Sequence, residues 1–348
     1  MDVILDSGRR RLKRFRAAIE AYNAGLRTRP PTALFIGDST TMGAGTNGTL
    51  TTGDIHATSF PSKLGPILTA RGLPARQSSF VGCNRQANTV ASNDARWSWG
   101  AGWGPLLNTM GGMFLRNNTT TNALSFTPAQ VFDSLEIYVG TANFNWNVDG
   151  GTNTTTTAAP SNAPFRRSYT VARGVHTINI MRNSGDNYVQ GIHTWDATAK
   201  EISILPAGIY GSVIGTHGSS SAWSAALSIP QWAPDLVVVS LVINDTAGGT
   251  TLASYESSYR VLIEAALNAG ADVLLLTSPP WTLSNFSLSE NYRHTLRGLA
   301  ARYLIPFGEI LDVWPVRSAE YFYDDLHQNE LGSTRFANAV ADCIFKFL

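Results

Sequence analysis

Short, wholly apolar runs followed by helical periodicity, present in both ends of the chain but not in its middle, constrain this sequence most. Ala33, Leu34, Phe35 and Ile36 form one such run; residues 236–241, broken only by Ser240, and residues 273–276 form two more. A strand without polar alternation must be covered on both faces, as in a parallel sheet between helices. Helical patterns are legible at 61–71, closed by Gly72, at 255–269, ended by Gly270, at 292–303 and at 334–348. Residues 304–306 read as a further short strand. Leu12, Phe15, Ala18, Ile19 and Tyr22 also fall at helical spacing, so the basic cluster around Arg9, Arg10, Arg11 and Lys13 is expected on the wet face of a packed helix. Alternating strands and helices predict a three-layer α/β/α, flavodoxin-like domain, with its reactive residues at the carboxyl ends of the strands.

The middle has another texture. Period-two alternation runs through Leu135, Ile137 and Val139, then through Phe144, Trp146 and Val148, with further apolar runs at 175–180 and around Ile202 and Ile204. Turn signals such as Asp149-Gly150-Gly151 and Ser184-Gly185-Asp186 separate them. Residues 152–164, rich in threonine and asparagine, read as a mobile loop. Many short strands with frequent turns predict a β-sandwich, jelly-roll-like, inserted into the first domain. The expected division is 1–73 plus 211–348 for the discontinuous α/β domain and 74–210 for the β-rich insertion.

Composition narrows the function. The formal net charge is +1, which gives no electrostatic reason to expect nucleic acid or a membrane surface as partner. No apolar run approaches the length needed to cross a bilayer. Cys83 and Cys343 stand far apart in sequence, so a thiolate zinc site and a disulfide framework are not expected; two buried free thiols are. No apolar stretch of a secretory signal follows the basic cluster, which is compatible with a cytoplasmic or a phage-associated, extracellular location.

Four local features carry chemistry. Ser39, in Gly37-Asp38-Ser39-Thr40, lies just past a buried strand, where a tight turn presents a hydroxyl above the sheet edge. The same position suits a helix cap. Asp324 and His327 stand three apart before the last helical pattern, so one turn brings a carboxylate to an imidazole; Asp325 is the reserve choice. Histidine is the side chain suited to take a serine proton near neutral pH. Asn244, after the strand at 236–241, can aim an amide N–H at a developing oxyanion, although Asn-Asp also serves a turn. Gly218, in a small-residue loop, can add a backbone N–H; Gly82 is its rival.

Together these blocks resemble the SGNH, or GDSL-type, hydrolases. The resemblance implies Ser39 as nucleophile, His327 as base and Asp324 as its orienting carboxylate. It implies an oxyanion hole of the Ser39 and Gly218 amides with the Asn244 side chain, and no metal or organic cofactor. The chain departs from the pattern at Val242, where the family usually has glycine, and at Thr40, where it has leucine. No Gly-x-Ser-x-Gly is present, which argues against the α/β-hydrolase fold. The inserted β-domain is similar to that of members acting on acetylated carbohydrates. The expected activity is therefore hydrolysis of short acyl esters, O-acetyl groups on a polysaccharide above all. A lipase or lysophospholipase-like esterase and a non-catalytic carbohydrate-binding protein are the competing readings.

Overall fold

In the computed structural model, residues 11–50, 52–77, 79–83, 94–140, 143–157, 163–281, 286–314 and 318–348 are described. Arg9, Arg10 and part of the loop expected at 152–164 lie outside the described residues. Six parallel strands form one sheet in the spatial order Phe307–Gly308, Asp272–Leu276, Leu236–Ser240, Thr32–Gly37, Ile202–Gly208, Ala75–Arg76. Alternate residues sort to opposite faces. Leu34, Ile36, Val237, Val239, Val273 and Leu275 join a core with helices Ala225–Trp232, Leu252–Asn268 and Ser289–Tyr303. Ala33, Phe35, Leu236, Val238, Leu274 and Leu276 join another with helices Lys13–Asn23, Phe60–Ala70 and Glu330–Phe347. Both faces of every long strand are thus covered, which is why these runs carry no polar alternation.

The chain first builds to one side of Thr32–Gly37 and then crosses to the other. The carboxyl end of that strand is therefore a topological switch point, where open α/β sheets place their ligands.

Two sequence expectations need correction here. Strand Ile202–Gly208 lies inside the parallel sheet, beside Thr32–Gly37, and Ala75–Arg76 forms its edge, so residues 74–210 are not all foreign to that sheet. Ser203 and Pro206 interrupt the apolar run and gave it the look of a half-exposed strand. The strand expected at 304–306 begins only at Phe307, because Leu304 caps the preceding helix in the left-handed region with φ 54°.

The remaining strands form two antiparallel sheets. One has the order Thr154–Thr156, Phe144–Val148, Ile178–Arg182, Ala123–Phe126, Trp97–Trp99. The other has the order Phe165–Gly174, Phe132–Gly140, Asn187–Trp195, Gly112–Asn117, Trp103–Thr109, with Phe80–Val81 also paired to Asn187–Trp195. A single apolar core takes Leu124, Phe126 and Ile180 from the first and Leu135, Ile137 and Ile192 from the second. Cys83 and Cys343 are both buried, and no disulfide joins them.

The other face of the second sheet packs on the α/β body. Tyr138 stacks on Trp232 with ring centroids 3.6 Å apart and planes within 2°. Beside this stack, the buried Glu136 accepts from Arg29 Nε at 3.0 and 3.1 Å, from the Tyr138 hydroxyl at 2.7 Å and from His193 Nδ1 at 3.2 Å. His193 Nε2 in turn meets Ser203 Oγ at 3.0 Å, on the parallel sheet. Burial works against the Glu136 charge, yet His193, Arg29 and Tyr138 hold its carboxyl well below the usual range. Burial pushes His193 down to about 4, so its ring is neutral and its Nδ1–H donates to Glu136. Removing one partner of such a pair strands the other charge out of water. Glu136→Ala, which leaves Arg29 uncompensated, is expected to lower unfolding free energy by about 3–5 kcal/mol, read as a lower urea midpoint at pH 7.

Candidate active site

Gly37 ends its strand because nothing larger fits: an added Cβ would overlap the Thr41 side chain and lie 3.1 Å from Ser240 O. Asp38 then caps the short helix Ser39–Met42, its Oδ1 accepting the Thr40 N–H at 2.9 Å and the Thr40 hydroxyl at 2.8 Å. Burial raises the Asp38 carboxyl. Ser39 therefore occupies the first helical position, buried, at the switch point. Its own N–H is given to no acceptor among the described residues.

His327 approaches from a tight turn. Phe322 bridges Gln328, the Tyr323 N–H donates to His327 O at 2.9 Å, and Asn329 caps helix Glu330–Phe347. Asp324 organises the turn from inside: its Oδ1 accepts the N–H groups of Leu326 at 2.8 Å and of His327 at 2.7 Å. Its Oδ2 accepts from His327 Nδ1 at 2.9 Å. The imidazole thus carries its proton on Nδ1, and Nε2 faces Ser39 Oγ at 2.9 Å. Burial pushes the Asp324 carboxyl up, but the bonds from His327 and Leu326 outweigh it and leave it below its ordinary value. Asp325 is exposed beside this arrangement.

Gly45 brings the two segments together. At φ +86° it takes a left-handed turn, and an added Cβ would lie 2.8 Å from Gln328 O and 2.9 Å from His327 Cβ. A side chain there would wedge the loop after Ser39 away from the histidine turn.

Asn244 lies in the first turn of helix Ile243–Ala247, its Nδ2 donating to Ser212 O at 3.0 Å. Val242 precedes it with a negative φ of −140°, so this position does not take the left-handed backbone that would favour the missing glycine. The adjacent Asp245 is buried and accepts the Ile214 N–H at 2.9 Å.

Neither glycine named from the sequence offers a free amide. The Gly218 N–H donates to Ile214 O at 2.8 Å, and a Cβ there would run into the carbonyl of Ser258 on helix Leu252–Asn268. Gly82 donates to Gln190 O at 2.6 Å and packs on Gly111. Both are glycines for close packing. The segment beside Ser39 is instead 209–212: Ile209 N–H and Ser212 Oγ both donate to Gly37 O, at 2.9 and 3.3 Å. Within it Gly211 has φ +70°, open space around an added Cβ, and an N–H given to no acceptor among the described residues. The preceding Tyr210 lies nearly parallel to the His327 ring, centroids 5.9 Å apart and planes at 18°. Sequence reasoning missed both because it took strand Ile202–Gly208 as part of the insertion; a glycine just past a parallel strand was the available signal. His217, buried and pushed down to about 3 by burial, meets Ser212 Oγ at 3.1 Å and supports this segment.

A nucleophile-type hydroxyl, an imidazole and a carboxylate in line, at the switch point of a three-layer sheet, define a serine hydrolase arrangement. Residues 167–335 match the GDSL-like Lipase/Acylhydrolase family. That span takes in Gly211, Asn244, Asp324 and His327 but begins after Ser39. A solved structure described as a peptidoglycan O-acetylesterase in action is similar over 98% of this chain and 97% of its own, with a TM-score of 0.70 and 16% identity. An acetylxylan esterase from Geobacillus stearothermophilus gives a TM-score of 0.37 at 16% identity, over 42% of this chain and 73% of its own. No curated protein matches the sequence. The matched span and the like fold make this chain similar to the GDSL-like lipases and acylhydrolases. No described helix is long and apolar enough to cross a membrane.

Asp245 gives the site a pH-dependent cost. Burial raises its carboxyl to about 6, above the ordinary value of 3.8. The folded chain then holds this proton more tightly than the unfolded chain does, so stability falls as pH rises from about 4 through about 6. Asp245→Asn removes that dependence. Its urea midpoint is expected to exceed that of the wild type at pH 7.5, with the difference gone at pH 4.

Proposed function

We propose that the chain is an esterase that removes short acyl groups, O-acetyl groups of a carbohydrate in particular, through an acyl-enzyme on Ser39. The observation that carries this reading is the continuous line from the Asp324 carboxylate through His327 to Ser39 Oγ, with both bonds at 2.9 Å. His327 takes the Ser39 proton as the hydroxyl attacks the ester carbonyl, and Asp324 holds the imidazole in the required tautomer and stabilises its cation. The Tyr210 ring lies where that cation forms and adds a favourable aromatic contact. The histidine then passes its proton to the leaving alcohol, and water activated by the same ring frees the acid.

The oxyanion has three donors in this reading: the N–H groups of Ser39 and Gly211 and the side-chain amide of Asn244. Gly211 takes the place expected for Gly218. The free amides of Ser39 and Gly211 support it, as does the bond from Asn244 to the neighbouring Ser212. Donors fixed before reaction lower the barrier without reorganising.

The acetyl-carbohydrate assignment draws on the peptidoglycan O-acetylesterase of like fold, whose similarity runs nearly the whole length of both chains. We read the two antiparallel sheets as an accessory sandwich that accompanies the α/β body on a polymer, with residues 75–76 and 202–208 returned to that body.

Acetate release from acetylated xylan and O-acetylated peptidoglycan, with 4-nitrophenyl esters of increasing chain length, tests the proposal. Ser39→Ala is expected to lose about 10⁴-fold or more in kcat, and Asn244→Ala about 10²–10³-fold. Acetyl esters should be preferred to octanoyl esters; the reverse order would move the substrate to lipids. Equal rates for wild type and Ser39→Ala would remove the nucleophile.

A further inference from the structure

We infer that a second site, at the opposite end of the parallel sheet from Ser39, binds a neutral sugar ring of a glycan chain. It is a cleft of about 510 Å³ between the segment before Thr32 and the outward face of strand Phe165–Gly174. Arg29, in its wall, bonds Thr32 Oγ1 and Ala233 O, at the amino ends of strands Thr32–Gly37 and Leu236–Ser240. Ser39 follows the carboxyl end of the same first strand. Six residues at ~3.3 Å each put about 20 Å between the two sites.

The register shows how the floor is built. Thr170 pairs with Ser134, and Ser134 with Trp195; Ser168 pairs with Glu136. Paired residues share a sheet face, so Trp195 and the two outer hydroxyls lie across three strands, a span of ~10 Å.

The wall chemistry selects the ligand. Arg29 has no N–H to spare for a phosphate or carboxylate: Nε meets both Glu136 oxygens, Nη1 meets Thr32 and Ala233, and Nη2 meets Tyr138 and Trp232. Arg166, the next cation on the strand, already pairs with Glu136 at 3.7 Å. The hydroxyls of Thr28, Ser168 and Thr170 are different: all three residues are exposed, and no described residue bonds these hydroxyls. The exposed edge of the largely buried Trp195 indole, beside free hydroxyls and an internally paired ion cluster, suits a ligand with an apolar C–H face and a hydroxyl rim. A pyranose ring has both. Occupying this cleft would hold a polymer on the enzyme while Ser39 works on another part of it, raising the local ester concentration.

The test separates this site from the catalytic reading. Titration calorimetry of the full-length Ser39→Ala chain uses cellotetraose, xylotetraose, chitotetraose and, as an anionic probe, tetragalacturonate. At least one neutral tetrasaccharide is expected to bind, and Thr170→Arg or Ser168→Ile in that background to weaken it about tenfold. Both positions are exposed on an edge strand that already carries arginines and β-branched residues, and either variant that keeps the parent melting curve serves. With Ser39 intact, the same substitutions should leave 4-nitrophenyl acetate hydrolysis unchanged. Absence of binding by all neutral probes, binding untouched by a folded variant, or a preference for tetragalacturonate would overturn the inference. Failure of the wild type to cleave 4-nitrophenyl acetate would instead sink the esterase reading alone.

Discussion

The contact between Ser39 Oγ and His327 Nε2 joins residues 288 positions apart, and no local preference can create it. It exists because the parallel sheet fixes where each segment emerges. Thr32–Gly37 delivers Ser39 at the switch point, while helix Glu330–Phe347, packed on helix Phe60–Ala70 and the sheet, anchors the turn that carries His327. Between these anchors, Asp324 does two jobs with one carboxylate, shaping the backbone through Oδ1 and orienting the ring through Oδ2. An ionised carboxylate accepting several N–H bonds is a strong organiser, and its lowered pKa reflects that.

The antiparallel sheets attach to this body by chemistry that specifies orientation more than it adds stability. The Tyr138–Trp232 stack supplies area, whereas Glu136 with Arg29, His193 and Ser203 permits only one docking. A buried ion cluster gains little over well-packed apolar residues, but a misplaced partner leaves a charge without compensation.

Much of the α/β body was legible in the sequence because strands covered on both faces show continuous apolar runs, as at 236–240 and 272–276. Legibility failed where a buried strand tolerates interruptions: Ser203 and Pro206 hid Ile202–Gly208, although Ser203 is bonded to His193 and Pro206 needs no donor where it sits. That error carried into the site. With the strand misplaced, the glycine just beyond it went unread and Gly218 was chosen in its stead, because a glycine needed for close packing and one with an open amide look alike in sequence. The residues around Ser39, Asp324 and His327 were easier to find, since each depends on a few neighbours along the chain. The partners of Glu136 were not legible, since Arg29, His193 and Ser203 come from three distant segments.

The close approach at Gly45 has a consequence for the order of events in synthesis. Ser39 is made before residues 321–329, so its hydroxyl cannot meet the His327 ring until that turn has emerged and seated against the glycine. A chain cut before residue 321 would carry Ser39 without that neighbour. On the proposed reading, labelling of Ser39 would therefore report that the histidine turn has been made and that the sheet has closed around it.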